Sequence, residues 1–138
     1  MTADDVRAWL RRGWKINREI DALKLAVDEA RARAMSTTVN YNGVVVSGSA
    51  DGHGFDRLAA LEDDVRERVE ELCGIQREIL RVVRRVRDGS CRTLLILRYV
   101  DFRTWEQIAV VMDYSWRQVH RIHDAALLAV AALLEKKA

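Results

Sequence analysis

The chain of 138 residues contains no proline. Ordinary usage of about 5% would supply roughly seven. Proline breaks helices and punctuates loops, so its absence favours a mostly helical chain. It also excludes collagen-like and proline-rich linker classes. Cysteine is scarce: Cys73 and Cys91 form no C-x-x-C pair. Two thiols make no disulfide framework and fit a reducing, cytoplasmic setting. Together with His120 and His123 they match no zinc spacing, so neither metal nor cofactor is expected. Long apolar runs are missing too. The longest, Ala125–Leu134, has ten residues and is half alanine. That is too short to span a bilayer, and the polar start Met1-Thr2-Ala3-Asp4-Asp5 has no signal-peptide pattern. No membrane partner is expected.

A strong charge of one sign is lacking as well, since the net charge is +2. Of the 23 basic residues, 19 are arginine and 4 lysine. Arginine suits phosphate and carboxylate better than lysine does. The position of the surplus says more than its size. Residues 1–56 and 57–89 each carry 8 basic and 8 acidic groups, whereas residues 90–138 carry 7 and 5. The whole excess lies in the last third.

What is present divides into pieces. From Ala3 to Ala34, apolar residues at Val6, Trp9, Ile16, Ile20, Leu23, Val27, Ala30 and Ala34 predict one long helix. Its steps of four and three from Ile16 onward are those of a coiled-coil seam, which Gly13 weakens. Thr2 is placed to cap its start. Residues 35–56 hold four of the seven glycines and predict a flexible loop. Asn42-Gly43 offers a small hairpin turn there. Residues 56–88 predict a second long helix, with Leu58, Leu61, Val65, Leu72, Ile75, Ile79, Val82 and Val86 in a heptad broken only by Arg68. Asp88-Gly89-Ser90 is expected to end it. The two helices would fold back as an antiparallel hairpin, or one seam would form a homodimer. Near its end, Arg77, Arg81, Arg84, Arg85 and Arg87 suggest a basic surface.

From residue 90 the heptads give way to short helices. Arg92–Tyr99 predicts one. Thr104-x-x-Gln107 and Ser115-x-x-Gln118 read as two capping boxes eleven residues apart, starting helices that end near Met112 and Glu135. The turn between them holds Asp113, a residue that tolerates a left-handed backbone, and Tyr114, which would plug the turn. Ile108, Ala109, Val119 and Ile122 would pack the two helices together. This is a helix-turn-helix layout. The expected architecture is therefore all-α. Residues 1–89 form a long antiparallel helical hairpin with a flexible loop at 35–56, and residues 90–138 form a three-helix module.

The start of the last helix would leave Trp116, Arg117, His120, Arg121 and Asp124 on the side away from Val119 and Ile122. A recognition helix sets such residues in the DNA major groove, where arginine binds guanine and aspartate accepts from cytosine. Ser115, Gln118 and the free amides of the helix start would meet the backbone. Trp116 serves equally as a sugar or thymine contact and as a core or docking residue. His120 and His123 are expected at the surface or on phosphates.

The stretch Arg92-Thr-Leu-Leu-Ile-Leu-Arg-Tyr99, then Thr104-Trp-Glu-Gln-Ile-Ala109, Ser115-Trp-Arg-Gln-Val119 and His123-Asp-Ala-Ala-Leu127 resembles region four of bacterial sigma factors, over about a third of the chain. The whole layout is similar to phage and prophage late-gene regulators of the ArpU/RinA type. The matching residues are Arg98, Tyr99, Trp105, Ile108, Ala109, Met112, Tyr114, Ser115, His123, Ala126 and Leu127. The resemblance implies a sequence-specific DNA-binding transcription regulator of phage origin, acting in the bacterial host cytoplasm on double-stranded DNA near a promoter. Contact with RNA polymerase is a further implication. Two alternatives stay open: a small-terminase-like packaging protein, and a polymerase- or sigma-binding module that touches no DNA. Catalysis is not expected. No nucleophile adjoins a base, there is no glycine-rich phosphate loop, and on a helix Asp63 and Asp64 point about 100° apart.

Overall fold

The computed structural model describes residues 1–38 and 48–137. Its regular structure is helical, with no strand among the described residues. In chain order the helices are α1 (Ala3–Leu10), α2 (Arg12–Thr38), α3 (Gly48–Val83), α4 (Gly89–Tyr99), α5 (Trp105–Met112) and α6 (Trp116–Lys137). Helix reaches Thr38 and resumes at Gly48, so residues 35–38 and 48–56 of the expected loop are helical. The hairpin expected at Asn42-Gly43 lies outside the described residues.

The contacts divide the chain into two compact units, residues 1–15 with 72–138, and residues 16–71. The second contains most of the heptad seams. Ile20, Val27, Ala30 and Ala34 are buried on α2. On α3, Leu58, Leu61, Val65 and Arg68 are the less exposed positions. Arg68, on this same face, is paired with Glu71 at 3.0 Å. Gly54 faces Ala34, and a groove joins Lys24, Val27 and Arg31 to Glu62, Val65 and Arg66, so α2 and α3 meet in reverse chain order.

The first unit begins differently from the sequence expectation. The single helix expected from Ala3 to Ala34 is interrupted at Arg11, between α1 and α2. Thr2 caps α1 through a reciprocal box with Asp5. Val6 and Leu10 are fully buried, one turn apart. They share a core with Ile79, Val82, Val83, Val86, Leu95, Tyr99, Ala126, Leu127 and Val130. The boundary expected at residue 89 therefore falls inside this unit. α1 and the end of α3 thus add their apolar side chains to the core of α4 and α6.

Gly13 is buried just after the interruption because α2 must approach closely here. A Cβ at this position would lie 3.1 Å from Leu72 Cδ1 and 3.3 Å from Phe102 Cζ.

The Asp88-Gly89-Ser90 segment does not end α3, which stops at Val83. Asp88 instead caps α4, its carboxylate accepting from the amides of Ser90 and Cys91. Gly89 is the first residue of that helix. The Arg92 guanidinium secures the connection by donating to the carbonyls of Val86 and Arg87 at 2.6 and 2.8 Å.

Candidate nucleic-acid interface

Local chemistry fixes α5 and the start of α6. Thr104 Oγ1 accepts from the Gln107 amide, and Gln107 Oε1 accepts from the Thr104 amide. Ser115 and Gln118 repeat this exchange at 3.2 and 2.9 Å. Asp113 takes the left-handed conformation, φ 56° and ψ 46°. Its amide donates to the Val110 carbonyl and that of Tyr114 donates to Ala109. These two bonds make a Schellman closure, with aspartate where glycine is usual. Tyr114 does not plug the turn as expected. Its side chain is 37% exposed, and its amide makes the closure.

Leu94, Ile108 and Val119 form a small fully buried core, with Ala109, Met112 and Ile122 packed on it. Locking Val119 inward turns the opposite side of α6 to solvent. Ser115, Trp116, Arg117, Gln118, Arg121 and Asp124 are exposed. Arg117 and Arg121 are four residues apart on this face, and neither makes an ion pair among the described residues. The amides of Trp116 and Arg117 are first-turn donors without an intrahelical acceptor. His120 is half-buried, its ring 3.8 Å from that of Trp116 and 4.6 Å from that of Trp105.

His123 departs from its expected surface position. It is 4% exposed, and its Nε2 lies 2.6 Å from the Tyr99 hydroxyl. Burial, reinforced by the positive charge of Arg7, pushes its pKa down to about 4. The ring is thus neutral at pH 7 and serves the core. A signal existed in the sequence, since His123 stands four residues after buried Val119 and four before buried Leu127. The same burial pushes the Tyr99 hydroxyl up.

Sequence patterning missed the role of the turn between α4 and α5. Phe102 there has φ 56°, unusual for an aromatic residue. Its ring meets Trp14 edge-on at 5.7 Å. Arg98 stacks between Trp14 and Trp105, at 4.6 and 4.3 Å from their ring centres, and donates to the Arg103 carbonyl. These contacts tie the start of α2 to the start of α5.

Arg77, Arg81, Arg84, Arg85 and Arg87 are all exposed around the end of α3. No helix among the described residues is long and apolar enough to cross a membrane. No protein-family model, curated protein or solved structure matches the chain.

Proposed function

We propose that this protein is a sequence-specific DNA-binding transcription regulator of phage origin, with α5 and α6 acting as a helix-turn-helix. The observation that carries this reading is the pair of exposed, unpaired arginines, Arg117 and Arg121, at the start of a helix whose other face is locked by Val119. Such a helix start fits the major groove, and each arginine has the fork that guanine O6 and N7 accept. Trp116 is 62% exposed and available to a sugar or thymine methyl. Ser115, Gln118 and the first-turn amides of α6 suit backbone phosphates. His120 is the least accessible member of the set, wedged between two tryptophans. The resemblance to sigma region four and to ArpU/RinA-type regulators supports the phage and promoter part of the reading.

A second reading draws on Val110, Val111 and Trp116, which are 80%, 58% and 62% exposed. Exposed apolar side chains serve protein docking, and RNA polymerase is the partner that the resemblance implies. Selection of phage-genome fragments by the full chain separates the two readings. A regulator enriches a short common sequence and releases it as salt rises. A protein-only docking module enriches none.

A further inference from the structure

A cavity of about 260 Å³ opens beside the candidate DNA-reading face, lined among others by Arg7, Arg11, Arg98, Trp105, His120 and Asp124. Its walls come from α1 and the residue that follows it, from α4, α5 and α6. We infer that this cavity seats a phosphate group, and that the group is a phosphodiester of the DNA strand read by α6. The inference rests on the proposed DNA-binding function and adds an N-terminal part to the interface.

Two observations point to an oxyanion. Arg11 and Arg98 have no carboxylate partner among the described residues. The Arg98 guanidinium carbon lies 4.6 and 4.3 Å from the ring centres of Trp14 and Trp105, and one of its nitrogens donates to the Arg103 carbonyl. Its other N–H groups remain as pre-oriented donors. Guanidinium donors supplied both by α4 and by the residue after α1 suit an oxyanion with several acceptor oxygens. Burial presses the Arg98 pKa down, with Tyr99 opposing and the neighbouring Arg11 adding to the shift.

The charge balance indicates the kind of phosphate. Arg7 is paired with Asp4 at 2.9 Å, and Asp124, without an ion pair of its own, adds one negative charge to the wall, so the three arginines carry one positive charge in excess. One charge matches a diester better than a free dianion. Position points to the same source. His120 and Asp124 lie on α6 one turn beyond Trp116 and His120 respectively, adjoining Arg117 and Arg121.

The test uses the full chain and a duplex recovered from the fragment selection. Arg11→Gln weakens binding roughly tenfold near 0.1 M salt, equally on matched and unmatched duplexes, and lowers the salt slope by about one. Asp124→Asn tightens binding by roughly two- to fivefold on every sequence, an effect that misfolding does not imitate. Unchanged affinity and slope in Arg11→Gln would overturn the inference. If the wild-type chain binds no duplex at low salt, the DNA reading itself fails, and inorganic phosphate becomes the probe. A saturable shift of the Trp105 and His120 NMR signals, lost in Arg11→Gln and not reproduced by chloride, then upholds the phosphate seat with a free ligand as its source. No such shift overturns it.

Discussion

Tyr99 and His123 are joined by a 2.6 Å hydrogen bond inside the core, 24 residues apart in the chain. The bond joins two buried side chains, and protonating the imidazole would place a charge in this core. The ring is neutral because burial and the facing charges of Arg7 and Arg98 oppose protonation more strongly than Asp124 favours it.

Stability therefore depends on acid in a defined window. His123 has a pKa of about 4 in the folded chain, against an ordinary value of 6.5. Between these values the unfolded chain binds a proton that the folded chain refuses. Stability is full above about pH 6.5 and falls by roughly 2–3 kcal/mol as the pH drops towards 4. Urea unfolding at several pH values measures the slope, and His123→Phe flattens it. Tyr99→Phe costs about 1–3 kcal/mol at pH 7 by leaving Nε2 without its partner.

Gly13 tests the interruption between α1 and α2. Gly13→Val drives side-chain carbons into Leu72 and Phe102, which already confine the space. A loss of about 1–3 kcal/mol follows. Thermal unfolding gives the size, and Gly74→Ala, where the nearest atom is an Arg77 nitrogen at 4.0 Å, is the control expected to be tolerated.

The turn between α5 and α6 offers a substitution of opposite sign. Asp113 sits at φ 56°, where a side chain has a steric cost that glycine avoids. Asp113→Gly is expected to stabilise the fold slightly, and Asp113→Val to destabilise it clearly. Ser115→Ala removes a cap and costs about 1 kcal/mol. Melting temperatures of the three variants give the order Asp113→Gly, Ser115→Ala, Asp113→Val from high to low.

Much of this fold was legible because helices announce themselves locally. The caps at Thr2, Thr104 and Ser115 and the inward heptad positions of α3 need only neighbours a few residues away. Periodicity reports which face is apolar, however, and not which partner covers it. Val6 and Leu10 therefore merged with the coiled-coil seam, although their partners are on α3, α4 and α6. Asp88 read as the end of one helix because a carboxylate before a glycine fits a stop as well as a cap. His123 had the right spacing for the core, but its partner Tyr99 comes from another helix. The arginine-lined cavity was invisible for the same reason, since Arg7, Arg98 and His120 are brought together only by the fold.

Substitution of the exposed arginines bears on the proposed reading face. Arg117→Ala or Arg121→Ala costs about 1–3 kcal/mol in DNA binding and relaxes preference at one base pair if the side chain reads a base edge. Equal loss on all sequences assigns it to a phosphate instead. Competition binding with single-base variants of the selected site distinguishes these outcomes.

The most direct measurement is the affinity of the full chain for duplex fragments selected from phage DNA, followed across salt concentrations. Tight binding to a short shared sequence, steep weakening with salt, and a loss of that preference in Arg117→Ala or Arg121→Ala are expected. Failure to bind any duplex at low salt would contradict the DNA-binding reading.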